Sequence, residues 1–226
     1  MVELAALEML CTGNRTVGSN PTLSAESKAE GGRINDKRQS LARPSSLMLT
    51  PFLRPGLDVL FVGFNPHPYS WERGRYYAHG SLWRILRKSG LAADIRDDSQ
   101  LFDYNFGITD LVHDRPTREA KEIGDEEYAR AAARFRRQVA RLKPRVVCLT
   151  GKDVFRHFAG WKRSAAVEYG LAGHFAASLV FVAPFPSHKW MKDEEKAQYY
   201  AGMLPLLDGQ LPKVSETVKV FFAGKR

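Results

Sequence analysis

The apolar positions of this chain fall into two textures. Residues 57–64 (LDVLFVGF), 145–149 (RVVCL) and 179–183 (LVFVA) are nearly unbroken apolar runs. A strand covered on both faces reads this way, because neither side of its pleat meets water. Residues 106–112 (FGITDLV) form a fourth, weaker run. Between the runs the period lengthens to three and four. Residues 80–90 put Leu82, Ile85 and Leu86 on one face. Residues 125–143 do the same with Tyr128, Ala132, Phe135, Val139 and Leu142. Asp125, Glu126 and Glu127 open that second helix, where their charge suits its dipole, and Pro144 follows its end. Helices are also expected over 152–159 and 194–207, with Pro205 placed to cut the last one short.

Strands alternating with helices predict an α/β fold. The expected form is a three-layer sandwich, a mostly parallel sheet of roughly four to five strands with helices on both faces. Ligands of such sheets bind beyond the carboxyl ends of the strands, near a switch in strand order. Chemistry is therefore sought just after residues 64, 110, 149 and 183.

The N-terminal part has no such pattern. Residues 1–10 can form a short amphipathic helix, and residues 12–46 are rich in Gly, Ser, Asn, Thr and charge. This predicts a flexible polar tail over 1–46 and a single folded domain over 47–226. No apolar run approaches the ~20 residues of a membrane span. The start of the chain lacks the basic and apolar regions of a secretory signal, so a cytoplasmic, nucleoid-associated protein is expected.

Charge adds a partner class. The 226 residues carry a net +9, and residues 1–50 hold 6 Lys/Arg against 5 Asp/Glu, so nearly all the excess lies on the folded body. A basic body suits a polyanion, although a merely soluble basic protein reads the same way. The 2 cysteines, Cys11 and Cys148, cannot supply four thiolates to an iron–sulfur cluster. No Cys/His spacing matches a zinc site, so no metal and no cofactor are expected.

Three strand ends carry candidate chemistry. After the first comes Gly63-Phe64-Asn65-Pro66-His67-Pro68. Asn65 precedes proline and is held extended, which fixes its amide at the mouth of the sheet, where its oxygen can hold a water. A plain turn uses the same residues. Thr109-Asp110 ends the weaker strand, and Asp110 is either a base in a basic cleft or a cap or ion-pair partner. After residue 183 comes Pro184-Phe185-Pro186-Ser187-His188-Lys189-Trp190-Met191. Ser and Lys there suit phosphates and a bulky group suits a base stack. Alternatively, Trp190 packs down on the core of a proline-stiffened loop.

Together these motifs resemble the mismatch-specific uracil/thymine DNA glycosylases of the uracil-DNA glycosylase superfamily. The resemblance covers roughly residues 50–208. It runs through Leu57 to Pro66, Tyr77-Ala78-His79, Leu82-Trp83, Phe106 to Thr109, Arg115-Pro116-Thr117, Leu149 to Lys152 and Pro184 to Ser187. It implies a monofunctional DNA glycosylase of base excision repair. Such an enzyme acts as a monomer on double-stranded DNA holding uracil or a mismatched base, with the target nucleotide flipped out of the stack. By the resemblance Asn65 positions the attacking water. Backbone N–H groups around Phe64 and Tyr77, beside Gly63, stabilise the departing base, on which Tyr77 stacks. Ser187, His188, Lys189 and Trp190 fall on the DNA-binding loop. Arg73 and Arg75 are further DNA candidates, on the loop before Tyr77.

Two departures from the family pattern sharpen this reading. Asp110 stands where relatives often show Asn or Lys. An ionised carboxylate only accepts hydrogen bonds, so it cannot read uracil's edge as an amide does, but it can act as a general base on the water. Asp94 and Asp103 are weaker carboxylate candidates. The last motif, Asn-Pro-Ser-Gly-Leu-Ser-Arg in the family, here has Phe185 for Asn, His188 for Gly, Lys189 for Leu, Trp190 for Ser and Met191 for Arg. The aliphatic wedge and the groups that read the opposing guanine are gone, so Trp190 or Met191 is the candidate wedge, and broader substrate use is expected. Superfamily members efficient on uracil carry His where Phe185 sits.

The series Arg130, Arg134, Arg137 and Arg141 lies on one face of the long helix and reads first as a solvated face. Lys152 opens a helix that can meet a phosphate. His67, His79 and His113 read as packing or hydrogen-bonding groups. Two other functions stay open: a non-catalytic DNA-binding relative, and a nucleotide-binding α/β enzyme. The second calls for a Gly-rich loop after the first strand, where this chain has stiff Asn-Pro-His-Pro.

Overall fold

A computed structural model describes residues 49–209. The tail 1–46, its short helix and Cys11 lie outside the described residues. The elements run β1 (Val59–Gly63), α1 (Pro68–Arg73), α2 (Ser81–Lys88), β2 (Phe106–Asp110), α3 (Asp125–Leu142), β3 (Val146–Thr150), α4 (Lys152–Ala159), β4 (Gly170–Phe175), β5 (Ser178–Ala183), α5 (Asp193–Ala201) and α6 (Leu204–Leu207). The strands form one five-stranded sheet in the order β2-β1-β3-β5-β4. The pairings β1–β2, β1–β3 and β3–β5 are parallel, and β4 runs antiparallel to β5.

The unbroken apolar runs are explained by two cores, one on each face. Val59 and Phe61 of β1, Val146 and Cys148 of β3, and Phe181 and Ala183 of β5 pack against Leu82, Ile85 and Leu86 of α2 and Tyr200 of α5. Their neighbours Leu60, Val62, Val147, Leu149, Val180 and Val182 pack against Phe135 and Val139 of α3 and Phe155 and Phe158 of α4. Successive side chains on a strand point to opposite faces, so the apolar residues of these strands are each demanded by one core or the other. Burial of such side chains stabilises by about 1.5–3 kcal/mol each.

The sheet is built outward from β1, to β2 on one side and β3 on the other, so the strand order switches between β1 and β3. That is where such folds leave a crevice. The outer edge of β2 is met by Phe52, which exchanges backbone hydrogen bonds with Ile108 at 2.9 and 3.1 Å.

Several elements differ from the sequence expectation. β4 was not visible: it is half-exposed, carries Gly170 and Gly173, and shifts register between Leu171 and Gly173. Its hairpin turns at Ala176 with φ 52, a residue type that does not announce a left-handed turn. α1 is a single short turn capped by His67, whose Nδ1 accepts from the Tyr69 N–H at 3.2 Å. The expected helix over 194–207 is two helices. α5 stops at Ala201 and α6 starts at Leu204, so the break lies at Gly202-Met203 rather than at Pro205. Pro205 sits in the first turn of α6, where its missing N–H leaves nothing unsatisfied.

Candidate active site

A cavity of about 990 Å³ opens at the carboxyl ends of the strands. Phe64 and Asn65 enter it from β1, Asp110 from β2, Thr150 to Lys152 from β3, and Phe185, Ser187, His188 and Lys189 from the segment after β5. Tyr76 and Tyr77 close it from the α1–α2 connection. Most of the sequence candidates therefore meet in one place. Gly63 is not in the lining but lies against two residues that are, Asp110 and Tyr77. Arg73 and Arg75 do not line it: Arg73 lies 3.4 Å over the Tyr69 ring, and Arg75 pairs with Asp97 at 2.6 Å. Asp94 and Asp103 are exposed and also lie outside the lining.

The Asn65 amide has a determined orientation. Its Nδ2 donates to Thr117 Oγ1 at 2.8 Å and to Pro66 O at 3.2 Å. The Thr117 hydroxyl spends its one proton on Glu119 O at 2.9 Å, so toward Asn65 it only accepts. Pro66 O is an acceptor as well. Asn65 therefore presents NH₂ to both, and its carbonyl oxygen turns the other way. That oxygen lies 3.3 Å from the Tyr128 hydroxyl, which also donates to Ala120 O at 3.1 Å. The reverse amide orientation would set oxygen against oxygen on both sides.

Asp110 is placed differently. Its side chain is buried, and no hydrogen bond or ion pair holds its carboxylate among the described residues. Burial pushes its pKa up to about 7. A methyl group at Gly63 would collide with Asp110 Oδ1 and come within 3.8 Å of the Tyr77 hydroxyl. Gly63 thus allows the carboxylate and the tyrosine to share one floor. Burial, and then the Asp110 charge, push the Tyr76 and Tyr77 hydroxyls upward, so both stay protonated.

The adjacent tyrosines divide their tasks. Tyr76 is core-buried, and its hydroxyl has no hydrogen-bond partner among the described residues. Tyr77 has a left-handed backbone with φ 44, a conformation that costs a bulky residue about 1 kcal/mol or more. It is held there from both sides. The Tyr76 N–H donates to Asp98 Oδ2 at 2.7 Å, and the Ala78 N–H to Ser70 Oγ at 3.3 Å. The Tyr77 N–H between them has no partner among the described residues. The Tyr77 hydroxyl lies 3.3 Å from Thr150 Oγ1. Its ring leans on Trp83 edge-on, with Phe185 tilted 6.4 Å away. The Phe64 ring is committed elsewhere, packing edge-on against Tyr128 at 5.4 Å and His157 at 5.9 Å.

The segment after β5 rises over this floor. Ser187 and Ser81 hydroxyls lie 2.9 Å apart. The His188 N–H donates to Phe185 O at 3.0 Å, closing a turn. Trp190 then stands 92% exposed, which overturns the alternative that it packs down on the core. Arg118, Lys152 and Lys189 add positive charge around the cavity. Of the α3 arginines, Arg130 pairs with Glu126 at 3.6 Å, while Arg134, Arg137 and Arg141 line a second groove of about 380 Å³ with His113, and Asp110 lies in the lining of both this groove and the cavity.

Thr117 and Tyr128 join the site without a signal of their own in the sequence: Thr117 is part of Arg115-Pro116-Thr117, and Tyr128 is one apolar position of a helix. Among the described residues no group of three or more His, Cys, Asp or Glu side chains could hold a metal ion, and no helix is long and apolar enough to cross a membrane. An oriented amide, a buried carboxylate and an aromatic floor thus meet at the strand switch, in the order along the chain that the motifs suggested. A family model described as the uracil DNA glycosylase superfamily matches residues 50–208, and the chain belongs to that superfamily.

Proposed function

We propose that this chain is a monofunctional DNA glycosylase that hydrolyses the bond between uracil and deoxyribose in duplex DNA. G·U mismatches are the first substrate, with thymine and etheno-cytosine as further ones. The observation that carries this reading is the Asn65 amide, whose two N–H acceptors turn its oxygen away from them; Tyr128 meets one lone pair of that oxygen and the other is left to hold a water.

The target nucleotide leaves the stack, because its glycosidic bond cannot be reached inside the duplex. The base lies against Tyr77 and Phe185. A water held by Asn65 Oδ1 attacks the anomeric carbon as the C–N bond breaks. Oxygen bonds to the sugar, the electron pair of the old bond leaves with the base, and the water proton passes to the Asp110 carboxylate. The unpartnered Tyr77 N–H supports the negative charge on the base. The proton taken up by Asp110 is returned through solvent to the base, which completes the products, a free base and an abasic site, and restores the carboxylate. Phe185 is apolar where other superfamily members carry His, so a charged departing uracil has less help from this wall, and strict preference for one base is relaxed. Trp190 enters the vacancy in the stack, while Ser187, His188 and Lys189 hold the backbone beside it. No lysine occupies a nucleophile position in the first motif, so strand cleavage does not accompany base release.

The deciding experiment is a gel assay on an end-labelled duplex with one G·U pair, followed by alkali. A labelled fragment at the uracil position, seen only after alkali, is the expected result. Binding without base release from U, T or etheno-cytosine opposite any base overturns the reading and leaves a non-catalytic DNA-binding relative. Phosphate contacts make binding weaken steeply with salt.

A further inference from the structure

Lys196 is an anomaly on α5. It is a lysine only 3% exposed, on a helix whose neighbours Glu194 and Glu195 are exposed. Removing an ammonium from water costs several kcal/mol unless it is well partnered. Its Nζ donates to Pro186 O at 2.9 Å and lies 3.4 Å from Asp193 Oδ1. Asp193 also receives Arg84 Nε of α2 at 3.2 Å, which fixes α5 against α2. One helical turn further on, the buried Tyr200 hydroxyl donates to Pro184 O at 3.0 Å.

These two bonds have a common geometry. Pro184 O and Pro186 O both face α5, and Phe185 between them turns its side chain to the cavity beside Tyr77; Pro186 already lies inside the turn that the His188 N–H closes on Phe185 O. Proline has no N–H, so this stretch cannot be fixed by a ladder of its own. Side chains of α5 supply the anchorage. Immediately beyond it the chain turns back through the His188 N–H and presents Trp190 to solvent.

We propose that Lys196 is a positioning residue for the DNA-penetrating loop. By holding Pro186 O it aims Trp190, and so sets how much better the enzyme works on a paired than on an unpaired target. This rests on the reading that Trp190 enters the base stack. Lys196 touches neither the base nor the water, so release of an already unpaired uracil does not depend on it.

The test uses the full chain as wild type, Lys196→Met, Lys196→Arg, Trp190→Ala and the Lys196→Met/Trp190→Ala double variant. Single-turnover release of uracil is measured from a G·U duplex and from a single strand. Stopped-flow fluorescence of a 2-aminopurine placed beside the uracil reports unstacking in the duplex. Lys196→Met is expected to lower the duplex rate and the unstacking rate about tenfold or more, and to leave the single-strand rate within about twofold. Lys196→Arg keeps a long donor and is expected to recover much of the loss. In the Trp190→Ala background, Lys196→Met is expected to add nothing, since both act through one step.

Equal losses on both substrates, or multiplying losses in the double variant, overturn the proposal. If Lys196→Met does not fold, Tyr200→Phe removes the neighbouring anchor and is read by the same ratio. If the single strand is not a substrate of the wild type, the unstacking rate decides alone. The underlying readings fail separately. No release by the wild type from either substrate sinks the glycosylase assignment, and a Trp190→Ala variant with an unchanged duplex rate sinks the role of the loop.

Discussion

The two polar groups at the mouth of the sheet are opposites. Asn65 sits in a closed account of protons: its N–H groups have acceptors, and those acceptors have no proton to return. Asp110 sits one strand away with a buried carboxylate that nothing in the described residues pairs. The first is an oriented group with nothing left to decide. The second is held in an unfavourable state, and burial alone moves its pKa toward neutrality. In the proposed reaction, orientation and proton affinity, the two requirements of water activation, are thus divided between two residues with different environments.

Substitutions can break that division. The largest effect is expected from Asn65→Ala, which removes the water holder and is expected to lower single-turnover base release by about a thousandfold or more. Asp110→Asn follows, with a loss of about a hundredfold or more at pH 8 if the carboxylate is the base. A fully active Asp110→Asn beside an inactive Asn65→Ala would assign all the work to the amide.

The pH profile sharpens the same point. The carboxylate acts as a base only when ionised. The release rate of the wild type should therefore rise about tenfold per pH unit below pH 7 and level off above it, and Asp110→Asn should flatten that limb. Thr117→Val leaves the Asn65 side chain in place but deletes its strongest acceptor. A fall of about tenfold in kcat with little change in KM, in steady-state assays, would mark an amide free to turn.

The smallest effect lies in stability, and its sign is the reverse of the usual carboxylate. The folded pKa of Asp110 is raised, so ionisation favours the unfolded chain. Its contribution is complete below the ordinary Asp range, near pH 4, and is lost as pH climbs toward 7. Denaturant unfolding of Asp110→Asn should show it more stable than the wild type by about 2 kcal/mol at pH 8, with the gap closing near pH 4.

Much of the fold was legible because β1, β3 and β5 are needed by two cores at once, which confines polar residues to strand ends, Thr150 and Ser178. β4 was hidden because its residues, Leu171 toward one core and Ala172 and Phe175 toward the other, are only partly buried, among glycines and a bulge. The residues of the site were legible as types at strand ends. Their states were not. That Thr117 accepts from Asn65 depends on where its own proton goes, which is set by Glu119 O across a loop. That Tyr77 rather than Tyr76 meets Phe185 and Thr150 depends on a left-handed backbone held by Asp98 and Ser70, and a Tyr-Tyr pair carries no trace of it. Lys196 carries no mark in the sequence, since a buried ammonium looks no different there from a wet one.

The Phe52–Ile108 bridge has a consequence for life at high local concentration. A sheet ends in two rows of unpaired backbone groups, and flat open edges invite other chains to add on as fibrils. Here the β2 edge is met by the chain's own Phe52, and the β4 edge is broken by a register shift. Neither edge offers a long, straight template. Molecules crowded along one polyanion can therefore sit side by side with little tendency to zip together.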